Sequence, residues 1–293
     1  MLIAWHPIIM YFYLTNYSPV VKKFKRTPYK LLWPALLFSI SVSAQKLPGI
    51  QKNSLRAPAN IKVDGKAKEW GNKLQAYNRS IQAFYTIAND DNKLYLTVQA
   101  TKKEIINKII NGGVSFTVGK AAKKTTVGGI TVTYPVFDMQ DRPVINLNAF
   151  ADIVAGSNGA EKRADSLMKT NNENLAQKSK FIRLTGLKDL DTLTSIYNTD
   201  GIKVANAFDN KMVYTVEMSI ELKLLGMSAK DQTHFNYNIR FNEIQIDFVP
   251  GIMITRNEDG TIALMNVVNS KLANSYISAL STTDCWGEYT LAK

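Results

Sequence analysis

Residues 212–222 read Met-Val-Tyr-Thr-Val-Glu-Met-Ser-Ile-Glu-Leu, and residues 235–242 read Phe-Asn-Tyr-Asn-Ile-Arg-Phe-Asn. Every even position of the first stretch is apolar, and every odd position of the second. Successive side chains of a strand point to opposite faces, so this strict period of two marks strands with one buried and one polar face. The same alternation recurs on either side. Ile81–Ile87 and Leu94–Ala100 flank Asn89-Asp90-Asp91-Asn92, a run of turn formers, which predicts a hairpin. Val114, Phe116 and Val118, then Ile130, Val132 and Tyr134, give two more strands. Phe181–Leu184, Ser195–Thr199 and Ile202–Phe208 are short ones, and a closing pair is expected at Ile262–Val268 and Gly287–Leu291. The parity shift to Ile244, Ile246 and Phe248 predicts a bulge near Glu243. Helical spacing occurs after the third strand, where Ile105, Ile106, Ile109 and Ile110 share a face. It recurs over Ala160–Lys180, a mostly polar insertion expected on the surface of the body. Many short strands with polar opposite faces predict an all-β antiparallel sandwich with these two helical additions.

The two termini of the 293-residue chain differ in character. Residues 1–44 hold Lys22, Lys23, Lys25, Arg26 and Lys30 and no acid, followed by an apolar run from Leu31 to Ile40 and Ser41-Val42-Ser43-Ala44. A basic region, a short apolar run and small residues at the −3 and −1 positions predict a secretory signal peptide cut before Gln45. The uncharged, aromatic stretch Met1–Val21 reads either as a first membrane span or as a start placed too early, and the second is preferred. Residues 45–60, with Pro48 and Pro58, read as a linker, and residues 61–293 as a single sandwich domain with its insertion at about 160–180. The formal charge of +12 therefore overstates the domain's basicity, since five of those charges lie in 1–44. The remaining +7 is spread without a recognisable reading element, so nucleic acid is not expected as a partner. No membrane span is expected after Gln45.

Cys285 is the single cysteine, which excludes an internal disulfide and a cysteine-built zinc site. It is expected as a buried, inert thiol. After residue 44 the chain keeps one histidine, His234, so serine or cysteine catalysis lacks a base and haem lacks ligands. No phosphate-binding glycine loop, G-x-S-x-G or H-E-x-x-H occurs. The expectation is a protein without catalytic activity or cofactor. A hydrolase built on two of the 24 acids is the remaining enzymatic alternative.

Ile61-Lys62-Val63-Asp64-Gly65 followed by Glu69-Trp70 resembles the opening of carbohydrate-binding family 9-like domains of the DOMON-like superfamily. Phe84–Tyr95 resembles the second and third strands of that family. Tyr214–Ile220 with Leu225-Gly226 resembles its late strand, although Ile220-Glu221 replaces the usual Ile-Pro. The resemblance implies a sandwich, a structural Trp70 beneath the first turn, and a sugar or polyol ligand. In the family, ligand clamps are pairs of exposed aromatics, and no such pair is evident here.

The candidate ligand contacts are the polar faces of the two opening strands. Glu217 with Thr215, Ser219 and Glu221 lines one, and Asn236, Asn238, Arg240 and Asn242 line the other. If the strands were neighbours, Glu217 and Arg240 would meet as a cross-strand pair. The functional reading is a hydrogen-bonding floor for a polyol with Tyr134 at its edge. The simpler reading is a solvated outer face. Trp286, beside Cys285, reads as structural. The 89–92 turn needs no calcium to explain it, and the basic loop at Lys120, Lys123 and Lys124 reads as a solvated loop. The expected function is an exported binding module for a carbohydrate or related polyol. The alternative is a structural or protein-interaction module of the cell envelope.

Overall fold

The computed structural model describes residues 47–293 except 72, 120–123, 139–140, 244–250, 259–261, 271–272 and 274–279. The expected signal peptide, most of the basic loop and the expected bulge at the 244–248 parity shift fall outside the described residues. Two antiparallel sheets face each other. The first contains β1 (Ala76–Asn78), β2 (Ala83–Asn89), β3 (Lys93–Ala100), β8 (Ile202–Phe208) and β9 (Tyr214–Glu221), in the order β1-β2-β3-β9-β8. The second contains β4 (Val114–Gly119), β5 (Ile130–Val136), β6 (Phe181–Thr185), β7 (Leu193–Ser195), β10 (His234–Phe241) and β13 (Thr283–Thr290), in the order β13-β10-β4-β5-β6-β7. A separate hairpin joins β11 (Ile252–Arg256) to β12 (Ile262–Val267). The expected closing pair is corrected by this topology: β12 pairs with β11, while β13 pairs with β10. Alternation fixes which face a strand buries, not which neighbour it takes.

The inner faces are those the alternation marks. Tyr85, Ile87, Leu94, Leu96, Val216 and Met218 from the first sheet meet Phe116, Val132, Tyr237, Ile239 and Phe241 from the second, all essentially buried. At the centre Tyr85 and Tyr237 share a hydrogen bond of 2.9 Å between their hydroxyls. Buried phenols need such partners, because an unpaired hydroxyl in an apolar core is costly. Gly287 is needed opposite this pair, since a Cβ there would lie 2.2 Å from the Tyr237 hydroxyl oxygen. Helix α1 (Lys103–Gly112) buries its four isoleucines, as their spacing predicts. A short helix, α2 (Phe150–Val154), leads to α3 (Ala160–Lys178), which lies against β8. There Asn172 accepts from the Phe208 N–H at 2.7 Å and donates to its carbonyl at 2.9 Å. One further turn of helix, α4 (Leu222–Leu225), follows β9.

The described part of the expected linker is stitched to the sandwich. Gln51 is buried, accepts from the Ile87 N–H at 2.8 Å and donates to the Ile87 carbonyl at 2.7 Å. Farther along, the Leu55 carbonyl accepts from the Tyr289 hydroxyl at 2.9 Å. Prolines and polar residues give the segment a linker's composition. Its backbone groups nonetheless find partners in the body, as buried backbone must.

Candidate functional site

Glu217 projects from the outer face of the first sheet, but residues 64–70 cross over it. Its Oε2 accepts from the backbone N–H groups of Asp64 and Gly65 at 3.0 and 2.9 Å. The Asp-Gly turn sits close because Gly65, at φ +80°, has no Cβ to strike the backbone N of Ala207 at 2.7 Å. Trp70 closes the same lid, its indole N–H donating to Thr97 Oγ1 at 3.0 Å. Burial pushes the Glu217 carboxyl up to about 7, opposed by the two amides and assisted by the neighbouring Asp64 and Glu69. The carboxyl is therefore a fastener for the first turn, 2% exposed, and not part of an open floor.

The expected meeting of Glu217 and Arg240 does not occur. β9 pairs with β3 and β8, whereas β10 pairs with β4 and β13, so the two residues lie on opposite sheets. Tyr134 points into the core. It is 2% exposed, and its hydroxyl lies 3.4 Å from the Ser179 carbonyl and 3.3 Å from Asn206 Oδ1. It belongs to the inward parity of β5, with Ile130 and Val132, so no sheet edge receives it.

Asn236, Asn238 and Arg240 do share one outward face, in register with Glu288, Trp286 and Asp284 of β13. Asn236 and Asn238 are buried there. Asn238 donates to Asp284 Oδ2 at 3.0 Å and to the Cys285 carbonyl at 3.2 Å, and Arg240 stands 3.7 Å from the same carboxylate. Trp286 is half-buried on this face, while Cys285 points inward and its thiol is pushed up to about 12 by burial. The Asn238 donors are thus spent on cross-strand ties. On the opposite flank, Asp90 binds its own turn: its Oδ1 accepts from the Asn92 and Lys93 N–H groups at 2.7 Å each.

An open feature with unspent side chains lies elsewhere, at the β1 edge of the first sheet. Tyr77 and Phe84 are directly opposite across β1 and β2, on the outward face, with ring centroids 4.7 Å apart and planes tilted by 55°. Beyond β1 the chain at 47–50 runs alongside, held by Tyr77 N–H donating to the Pro48 carbonyl at 3.0 Å and Asn78 Nδ2 donating to the Gly49 carbonyl at 2.9 Å. Asn78 Oδ1 accepts from the N–H groups of Ser80 and Ile81, turning the chain toward β2. The result is an open cleft of about 660 Å³, walled by Leu47, Ile50, Tyr77 and Phe84 with Arg79 and Ser80 at its rim. Its size suits a small ligand of a few rings.

The alternation pattern did not mark this cleft as a site, though one signal was present. In β2 the positions alternating with Ala83, Tyr85 and Ile87 are Phe84, Thr86 and Ala88, so Phe84 is a large aromatic at an outward position. The wall at 47–50 could not be anticipated, because that stretch has a linker's composition. Compared with models of known protein families and with curated proteins, the chain has no match in either.

Proposed function

We propose that this chain is an exported, non-catalytic binding module that holds a carbohydrate or related polyol in the cleft between β1 and its flanking chain. The observation carrying this reading is the aromatic pair Tyr77–Phe84 in an open cleft whose rim keeps unspent polar side chains. Aromatic faces pack against the C–H faces of sugar rings, and a few polar groups around them fix orientation. The resemblance of Ile61–Trp70 and Phe84–Tyr95 to carbohydrate-binding family 9-like domains points the same way. The apolar run before Ala44 supports export. The test is retention on a glycan array. Wild type is expected to be retained on a subset of glycans. Phe84→Ala and Tyr77→Ala are expected to lose retention while keeping the wild-type stability in urea within about 1 kcal/mol, as half-exposed positions allow. Equal retention by all three proteins rules out the cleft.

A second reading rests on the β11–β12 hairpin, where Met253, Leu264, Met265, Val267 and Val268 are each 45–66% exposed. Clustered exposed apolar side chains are a mark of protein-interaction surfaces. On this reading the module binds another envelope protein, and charge substitutions on the hairpin abolish a pull-down that cleft substitutions leave intact.

A further inference from the structure

The cleft's polar groups are unequal in kind, and this selects among sugars. Asn78 is the one amide side chain in the described lining, and its oxygen is already used: Oδ1 accepts from Ser80 and Ile81, while Nδ2 donates one N–H to Gly49. No carboxylate is present among the described lining residues. What remains unspent among them is the guanidinium of Arg79 and the hydroxyls of Tyr77 and Ser80. A neutral sugar presents many hydroxyl donors and needs acceptors to receive them, which carboxylates and amide oxygens supply. This rim offers a permanent cation with five N–H donors and two hydroxyls, and no side-chain amide or carboxylate oxygen that is free.

We infer that the cleft takes an anionic sugar, one bearing a carboxylate or sulfate, with the ring on Tyr77 and Phe84 and the charged group on Arg79. This rests on the carbohydrate-binding reading and narrows it. A guanidinium meets a carboxylate or sulfate through paired N–H···O bonds, roughly twice as strong as neutral ones. Arg79 is exposed and, among the described residues, bound to no acid, so it is not consumed by the fold. The lack of a carboxylate in the described lining also removes the repulsion that would otherwise turn an anion away.

The experiment titrates the full chain with oligogalacturonate, a sulfated oligosaccharide and a neutral gluco-oligosaccharide of matched length. Arg79→Ala and Arg79→Lys are compared with wild type, together with their urea midpoints. At least one anionic oligomer is expected to bind tenfold or more tighter than the neutral one, with Arg79→Ala erasing that preference and Arg79→Lys restoring part of it. Arg79 has no acidic partner to lose among the described residues, so the midpoints are expected to stay together. Equal binding of neutral and anionic oligomers, sensitive to Phe84→Ala and insensitive to Arg79→Ala, overturns the inference and leaves the carbohydrate reading standing. An anionic preference that survives Arg79→Ala assigns it to the basic surface at large and also overturns the inference. Binding of none of the three overturns both.

Discussion

Replacing Glu217 by glutamine is expected to abolish a pH dependence of stability that this one side chain imposes. Burial raises the Glu217 carboxyl from 4.5 to about 7, so between those values the folded state holds a proton that the unfolded state has released. Where the folded state binds more protons, stability falls as pH rises. The contribution is therefore fully favourable below about 4.5, declines through the window, and is absent above about 7. At about 1.36 kcal/mol per pH unit, that raise corresponds to about 3 kcal/mol. In Glu217→Gln the side chain keeps a carbonyl to accept from Asp64 and Gly65, and its new amide can donate to Thr97 Oγ1, which lies 3.4 Å from Glu217 Oε1. The variant is thus expected to match wild type near pH 5 and to exceed it by up to about 3 kcal/mol near pH 8, a melting shift of roughly 6–12 °C. Urea unfolding followed by tryptophan fluorescence at pH 5, 6, 7 and 8 measures the difference directly. Subtracting the variant cancels other titrations. One is that of Asp90, where burial is outweighed by the Tyr95 hydroxyl and the turn amides, leaving the carboxyl below its usual range. A wild-type minus variant difference that is the same at pH 5 and pH 8 would refute the assignment of Glu217 as a buried fastener.

Two further outcomes check the core. Gly287→Ala drives a methyl into the Tyr237 ring and hydroxyl and is expected to destabilise by about 3 kcal/mol or more, read as a lower urea midpoint; Tyr237→Phe keeps the clashing ring carbons and is expected not to recover the loss. Cys285 is expected to resist iodoacetamide in the folded protein at pH 8, because its thiol is buried and pushed up to about 12, and to react fully in urea; labelling followed by mass spectrometry decides it.

The all-β class and the inner faces are legible in the sequence because alternation is a local property. Phe235, Tyr237, Ile239 and Phe241 face the core for the same reason that Asn236, Asn238 and Arg240 do not. Helices α1 and α3 are legible from their spacing. The candidate site is not. Parity places Glu217 and Arg240 correctly outward on their own strands, yet it carries no information about which strands adjoin or what crosses above them. Glu217 loses its solvent to the 64–70 crossing, and Asn238 spends its donors on Asp284 and Cys285. Tyr134 is a different case: its own parity with Ile130 and Val132 already places it inside, against the expectation of an edge.

By itself, then, the sequence determined most of the strands and which face each would bury, since neighbours two apart on one chain settle that; it marked neither β1 nor β11, and it placed β7 at Ser195–Thr199 where the strand is Leu193–Ser195. Only the tertiary structure decided what the outer faces could do. Whether a polar group is a fastener or a free hand depends on segments far away in the chain: 64–70 over Glu217, β13 beside Asn238, and 47–50 beside Tyr77, whose approach leaves an aromatic pair and an arginine without an acidic partner among the described residues facing an open cleft.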